Sequence, residues 1–206
     1  MQEILHQFIE GLRTTVWYEY VAVAFGVGSV WYSRQENILV YPVGLVNTIF
    51  YVYLSIEGHL FGEASVNLYY TIMSIYGWIL WAKKDQTKLP VVHITRSTAK
   101  DWRAQMLFFS VFYIAIYFCL LYLKRQFAPG ALPAADAFAS ATAFTGMWLM
   151  ARKKVESWYW WIATNIASIP LYFIKGYSLT SIYYLIVLVL ACFGLASWRK
   201  KALEHA

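Results

Sequence analysis

The sequence predicts an all-α membrane protein of seven transmembrane helices, in which two parallel three-helix repeats are joined by a linker helix in a 3+1+3 arrangement. Three observations predict this class. Hydrophobic residues make up 60% of the 206 residues and charged residues only 14%, whereas soluble domains carry about 25% charged residues. The hydrophobic residues fall into seven long runs. Two polar breaks divide these runs into groups of three, one and three.

The seven apolar runs have about the length that an α-helix needs to cross a bilayer, roughly 18 to 20 residues. They do not alternate in polarity, as the roughly 10-residue strands of a membrane β-barrel would. Seven such helices leave short connections and two tails, too little for a soluble catalytic domain. The predicted spans are Trp17–Ser33, Ile38–Ile56, Glu63–Ala82, Trp102–Leu123, Ala134–Ala151, Ser157–Ile174 and Leu179–Trp198.

The polar breaks, at Lys83–Asp101 and Lys124–Pro133, define the expected domains. An odd linker helix lets the first and fifth spans cross the membrane in the same direction, which parallel repeats require. The expected units are an N-terminal surface helix with helically spaced apolar residues (1–16), a first three-helix repeat (17–82), a linker unit with the fourth helix (83–133), a second repeat (134–201) and a C-terminal tail (202–206).

A gapless comparison of the two halves supports a repeat. An offset of 118 residues over Trp17–Gly58 gives six identities, and an offset of 117 pairs Gly77 with Gly194 and Trp81 with Trp198. The number of identities is small, but they include glycines, a loop arginine and a buried amide. The six matched pairs are Gly28/Gly146, Arg34/Arg152, Tyr41/Tyr159, Asn47/Asn165, Ile56/Ile174 and Gly58/Gly176.

The net charge of +6 is explained by topology. With the N-terminus outside, 13 of the 17 Lys and Arg residues lie on the cytoplasmic side, which satisfies the positive-inside rule. The expected topology therefore has the N-terminus outside and the C-terminus in the cytoplasm. No soluble basic run interleaved with aromatics supports nucleic-acid binding.

Asn47 and Asn165 are the most informative polar residues, because each lies near the middle of a predicted span. A buried amide requires hydrogen-bond partners in an apolar layer. A helix–helix contact would supply them. Two such amides at one depth in matched repeats instead favour a shared polar cavity.

Aromatic residues continue this candidate site. Trp158, Trp161 and Asn165 have spacings of three and four and therefore share a helix face, which Ser168 and Tyr172 extend. Indole faces attract flat cations, although tryptophans near a span end also form interfacial belts. In the first half, Asn67 and Tyr70 share a stripe on the third span, and Tyr51 follows Asn47 by one turn. Tyr183 and Tyr184 are interpreted as packing residues.

The sequence contains no pattern typical of an enzyme, a metal site or a resident cofactor. Every span-associated carboxylate lies near a helix end, and the four histidines have no metal-ligand spacing. There is no nucleophile–base pair and no phosphate loop. The lack of a deep carboxylate also disfavours proton coupling.

Three segments resemble the PnuC-type nicotinamide riboside transporters across nearly the whole chain. They are the W-x-x-W-x-x-x-N pattern of Trp158–Asn165 with the following Lys175-Gly176-Tyr177, the segment Tyr41–Tyr51 with Asn47, and Tyr76–Trp81. Two positions depart from the common pattern, with Asn67 where many members have Gln and Phe193 where some have Asn.

The resemblance implies a fold related to the SWEET transporters and facilitated uptake of nicotinamide riboside across the bacterial inner membrane, after which cytoplasmic phosphorylation traps the substrate. It implies substrate contacts by Trp158, Trp161, Asn165, Asn47 and Asn67, and a homotrimer in the lipid bilayer. Tyr51, Tyr70 and Tyr172 are expected around the same cavity. Two alternatives stay open, a thiamine transporter of the same fold and a non-transporting receptor or scaffold.

Overall fold

The structure is a computed structural model that describes residues 17–57, 61–126 and 132–204. These residues form seven α-helices, and each predicted span falls on one of them, within three residues at most boundaries. The expected surface helix in residues 1–16 lies outside the described residues. The helices are α1 (Trp17–Gln35), α2 (Val40–Glu57), α3 (Phe61–Ala82), α4 (Ala99–Gln126), α5 (Pro133–Ala151), α6 (Ser157–Ile174) and α7 (Ser178–Glu204).

The largest boundary difference is at α7, which continues through residues 199–204, where a tail was expected from residue 202. The chain has apolar residues Ala202 and Leu203 here, and Ala202 is only 7% exposed. Lys201 also holds this turn in place by hydrogen bonds to the carbonyl of Gln35 and to the carboxylate of Glu36. Packing therefore extends the helix beyond its apolar run.

Six of the helices close into a ring. α1 packs on α2, α2 on α3, α3 on α5, α5 on α6, α6 on α7, and α7 on α1, while α4 packs on α5. The contacts of α1 with α7 and of α3 with α5 join the first three helices to the last three. A ring of this kind encloses an interior that residues from both groups can line.

The α1–α2 and α5–α6 turns have the same backbone geometry at a separation of 117 residues. Glu36 and Lys153 both adopt a left-handed conformation, with φ of 63° and 51°. Their amides bond the carbonyls of Ser33 and Met150, each at 3.0 Å. The next amides, of Asn37 and Lys154, bond the carbonyls of Tyr32 and Leu149, again at 3.0 Å. α2 and α6 also begin and end 117 residues apart.

The two turns match at an offset of 117, one residue less than the 118 that the sequence comparison used for the first two spans. One residue turns an α-helix by about 100°. At an offset of 117 the residue that matches Asn165 is Thr48 rather than Asn47.

One end of the ring is fastened by contacts between the two groups of helices, which we call the clasp. The Trp81 indole N–H donates to the Ala151 carbonyl and the Trp198 indole N–H donates to the Ser33 carbonyl, both at 3.1 Å. The Glu36 carboxylate bonds Lys153 Nζ at 2.8 Å and Lys201 Nζ at 2.9 Å. Trp81 and Trp198 are 117 residues apart, and their acceptors Ser33 and Ala151 are 118 apart, so each group of helices donates one indole bond to the other.

The segment before α4 is attached to the last three helices. Thr95 exchanges backbone hydrogen bonds with the α5–α6 turn, accepting from Val155 at 3.0 Å and donating to Lys153 at 3.1 Å. The Glu156 carboxylate accepts from the amide and the hydroxyl of Ser97 at 2.8 and 2.6 Å. The expected linker unit (83–133) is therefore joined to the second group through residues 95–97 and α4.

By length and composition, two of the described helices are apolar enough to cross a membrane, Ala99–Lys124 and Ser178–Glu204. α4 turns large apolar side chains away from the protein, with Leu107 67% and Phe118 61% exposed. In water such a surface would be unfavourable, and in lipid it is not.

Candidate functional site

Trp161 and Tyr70 form an aromatic surface in the ring interior. Their ring centroids lie 6.2 Å apart at an interplanar angle of 43°. The Trp161 indole lies against Gly146 of α5, where an added Cβ would be 3.2 Å from the ring. A glycine at this position lets the indole approach the α5 backbone. Because 6.2 Å leaves no space for a ligand between the two rings, they can form one wall of a site but cannot sandwich a substrate.

Asn165 lies one turn after Trp161 on α6 and is 3% exposed. Its side-chain amide makes no hydrogen bond to any residue that the structure describes. The preceding Thr164, by contrast, donates to the Trp160 carbonyl at 2.9 Å and lies 2.9 Å from the Thr142 hydroxyl. The polar side-chain atoms that are fully enclosed and lack a partner in the described ranges are the Tyr41 hydroxyl, the Ser157 hydroxyl and the Trp158 indole N–H, and the Asn165 amide is not among them. Its amide therefore stays open to a polar ligand beside Trp161.

Asn47 has a different environment. Its Nδ2 donates to the Ala22 carbonyl at 2.7 Å, which joins α2 to α1 within the first group of helices. This is the helix–helix contact that the sequence left open as an alternative. The half-buried side chain presents its remaining amide N–H and its carbonyl oxygen for other partners.

Trp158 lies one turn before Trp161 but is enclosed in the core beside the clasp. It is 1% exposed, and its ring meets that of Trp198 edge-on at 5.6 Å. An added Cβ on Gly194 would lie 2.5 Å from the indole, so α7 can pass here only with a glycine. The indole N–H has no hydrogen-bond partner among the described residues. The structure thus places the two tryptophans of the predicted face in different surroundings.

The other predicted residues, Asn67, Tyr51 and Tyr172, are half-buried. Tyr172 stacks on Tyr184 of α7 at 5.2 Å and lies near Lys175, whose Nζ is 5.8 Å from its ring. The structure therefore groups Tyr172 with the α6–α7 turn, at the end of α6 opposite Trp158.

Tyr183, which the sequence analysis interpreted as a packing residue, lies near Asn47. The structure brings it from α7 across to Gly26 of α1, where an added Cβ would lie 2.8 Å from the Tyr183 hydroxyl and 3.0 Å from Asn47 Nδ2. The signal in the sequence was Gly26 itself, since small residues in membrane helices permit close contacts. Nothing in the sequence showed which side chain would use that space.

No basic side chain belongs to this interior in the described ranges. The described Lys and Arg residues lie at helix ends and in the connections. At the C-terminal end of α6, Lys175 forms an ion pair with Asp136 of α5. Among the described residues, no group of three or more His, Cys, Asp or Glu side chains could hold a metal ion. The described part of the site offers aromatic faces, amides and hydroxyls, groups that suit a flat polar molecule.

Known proteins similar to this chain are transporters of vitamins. The nicotinamide riboside transporter PnuC of Escherichia coli is 23% identical over 92% of this chain and 87% of its own length. The PnuC of Neisseria mucosa is 25% identical over 92% of this chain and 74% of its own length. The riboflavin/roseoflavin transporter RibM of Streptomyces davaonensis is 23% identical over 89% of this chain and 84% of its own length.

A crystal structure of the vitamin B3 transporter PnuC has the same fold, with a TM-score of 0.72 and 22% identity over 98% of this chain and 91% of that chain. Residues 16–200 match the family model described as nicotinamide mononucleotide transporter. The expected kinship is thus confirmed. This chain is a member of the nicotinamide mononucleotide transporter family, a family of membrane transporters and not of enzymes.

Proposed function

We propose that this protein is a uniporter that takes nicotinamide riboside into the bacterial cell by facilitated diffusion. The observation that carries the proposal is the Asn165 amide, which makes no hydrogen bond to a described residue and lies one turn after Trp161 of the Trp161–Tyr70 aromatic surface. A flat pyridinium ring lies well against an indole face, and its carboxamide supplies the hydrogen bonds that Asn165 lacks. We choose nicotinamide riboside as the substrate because the PnuC relatives are nicotinamide riboside transporters.

The substrate that we propose has no phosphate. A phosphate group buried in the ring would require Arg or Lys partners, and the described interior provides none around Trp161. The same lack of charged groups favours an uncoupled mechanism, since proton-coupled carriers usually place a titratable group in the membrane. Phosphorylation in the cytoplasm would then trap the riboside and keep net uptake inward.

We further propose that α1–α3 and α5–α7 are two parallel repeats joined by α4, and that their relative motion alternates access to the site. The matching turns and the reciprocal tryptophan bonds of the clasp support this. The positive-inside rule would place the clasp, with Lys153 and Lys201, at the cytoplasmic face of the inner membrane. A homotrimer is proposed from the family resemblance.

The proposed substrate site contains the eight residues that the sequence analysis selected. Trp161, Tyr70 and Asn165 would bind the ring and its carboxamide, and the half-buried residues would line the rest of the path. Trp158 would contribute indirectly, by supporting Trp161 from the core beside the clasp, where Trp158 is buried. The eight residues are Trp158, Trp161, Asn165, Asn47, Asn67, Tyr51, Tyr70 and Tyr172.

Flux and binding together test this function. Purified protein in liposomes without a proton or sodium gradient should take up nicotinamide riboside, whereas a receptor or scaffold would give no flux. Calorimetry with nicotinamide riboside, thiamine and riboflavin should show the tightest binding for the first. Thiamine is the alternative from the sequence, and riboflavin is named by the Streptomyces relative. Clear binding of either without binding of nicotinamide riboside would reject the proposed substrate.

The site is tested by Trp161→Ala and Asn165→Ala, each expected to weaken binding at least tenfold, because each removes a contact or hydrogen bond in a desolvated site. Trp31→Ala is the matched control, because Trp31 is 45% exposed and lies over Arg34 at a helix end. Unchanged affinity in both site variants, with the folded protein retained, would assign Trp161 and Asn165 to packing.

A further inference from the structure

The Tyr183 hydroxyl lies at a junction between the two groups of helices. It comes from α7 of the second group and reaches Gly26 of α1, beside the Asn47 amide on α2. The hydroxyl and Asn47 Nδ2 are within 2.8 and 3.0 Å of the same point, where a Cβ on Gly26 would be. Gly26 thus leaves space for two polar side chains to approach each other from opposite sides of the interface.

Tyr183 has no hydrogen-bond partner within the described ranges. Asn47 Nδ2 bonds the Ala22 carbonyl, so one of its two N–H groups is already used. Phenol hydroxyls normally find a partner when they are enclosed in an apolar environment. The geometry therefore leaves a hydroxyl, an amide N–H and an amide oxygen close together in the interior.

The second interface between the groups, α3 on α5, shows the contrast. There the Tyr69 ring stacks on Phe144 at 4.0 Å, and the Tyr69 hydroxyl donates to the Phe144 carbonyl at 3.1 Å. At this interface the Phe144 ring fills the space, and the Phe144 carbonyl accepts the hydrogen bond of the Tyr69 hydroxyl. At the α1–α7 interface Gly26 stands opposite Tyr183 where Phe144 stands opposite Tyr69, and the Tyr183 hydroxyl makes no hydrogen bond to a described residue.

We propose that Tyr183 is a specificity-determining residue that binds a hydroxyl group on the non-aromatic part of the substrate, with Gly26 setting the space for this contact. The inference rests on the proposed function. The Tyr183 ring lies 5.3 Å from that of Tyr184 on α7, and α7 packs on α6, the helix that carries Trp161. With its aromatic ring on Trp161 and Tyr70, the substrate would extend its sugar towards Tyr183 and Asn47.

The decisive variant is Tyr183→Phe, which removes only the hydroxyl. Its affinity for nicotinamide riboside should fall roughly tenfold, the usual effect of losing one hydrogen bond in a desolvated site. Tyr69→Phe is the matched control and should change affinity less than threefold, because its hydroxyl bonds the protein backbone. Equal affinities of Tyr183→Phe and the wild type would overturn the inference.

A ligand with the same ring but no sugar, 1-methylnicotinamide, tests which part of the substrate Tyr183 reads. Tyr183→Phe should reduce the preference for nicotinamide riboside over this ligand by about the same tenfold factor, because the lost bond belongs to the sugar. A preference equal to that of the wild type, with both ligands weakened alike, would overturn the assignment to the sugar.

Gly26→Ala provides a second variant, since its Cβ would displace Tyr183 or Asn47, and uptake should fall at least tenfold. Gly28→Ala is its control, with an ordinary 3.5 Å contact to Val43. Uptake by Gly26→Ala at the wild-type rate would count against the inference.

If the wild type binds thiamine or riboflavin instead of nicotinamide riboside, the proposed substrate is wrong. Tyr183→Phe then still tests the contact with the molecule that binds, since thiamine and riboflavin both carry hydroxyl groups outside their rings.

Discussion

Trp158 and Trp161 show how two residues of one sequence pattern have separate physical roles. Trp158→Ala should lower the melting temperature strongly, because removing a fully enclosed indole between Gly194 and Trp198 costs about 3–5 kcal/mol. Trp161→Ala should change the melting temperature much less and lose ligand binding. Thermal unfolding in detergent, with and without nicotinamide riboside, measures both effects. Similar melting temperatures for the two variants would contradict this division.

The sequence predicted the tryptophan face from helical spacing, which states only that Trp158, Trp161 and Asn165 point in similar directions. It could not show that Gly194 of α7 receives Trp158 while Gly146 of α5 receives Trp161, since both contacts depend on helix packing. For the same reason it could not show that Tyr183 lies near Asn47. Two adjacent tyrosines on an apolar helix give the same sequence pattern whether they contact lipid, protein or ligand.

At the scale of elements, the segment before α4 should stay attached through Glu156. Glu156→Ala removes the carboxylate that accepts hydrogen bonds from the Ser97 amide and hydroxyl. The loss should lower the free energy of unfolding by about 1–3 kcal/mol. Limited proteolysis and hydrogen exchange should then show residues 84–98 opening more readily. Glu204→Ala, an exposed carboxylate at the end of α7, is the control. Unchanged protection in Glu156→Ala would show that backbone bonds to Thr95 suffice.

The seven helices were predictable because each apolar run has the length of a membrane span, and their bounds agree closely with α1–α7. The register between the two halves was not. An offset of 118 gives the better identities over the first two spans, whereas the hydrogen bonds of the α1–α2 and α5–α6 turns match at 117. In apolar helices many residues are interchangeable, so a shift of one residue hardly changes the similarity, although it turns each side chain by about 100°.

For the whole molecule, the clasp determines how firmly the two groups of helices are held together at one end. Glu36 bonds Lys153 and Lys201 from a side chain that is 23% exposed, while Lys153 is only 6% exposed. Losing this carboxylate should cost about 1–3 kcal/mol, between the values for exposed and buried pairs. Glu36→Gln should thus lower the melting temperature and make the clasp end easier to open.

A double-mutant cycle with Glu36→Gln and Lys153→Met isolates the ion pair. If the pair acts as a unit, the double variant should lose less stability than the sum of the single variants. Accessibility of a cysteine placed at Ser33 to a membrane-impermeant thiol reagent should rise in Glu36→Gln, after the native Cys119 and Cys192 are replaced. Additive stability losses with unchanged labelling would show that the tryptophan bonds alone close this end.

The clasp should also weaken in acid. Partial burial by itself raises the pKa of the Glu36 carboxyl, but the hydrogen bonds and positive charges of Lys153 and Lys201 outweigh burial and hold this pKa below its usual value. A lowered pKa in the folded protein stabilises it above the pKa of the unfolded chain, about 4.3, and this stabilisation is lost as the pH falls through the folded value. The wild type should therefore exceed Glu36→Gln in melting temperature at pH 7, and the difference should shrink steadily below about pH 4. A difference that stays constant down to pH 3 would mean that the carboxylate charge does not hold the clasp.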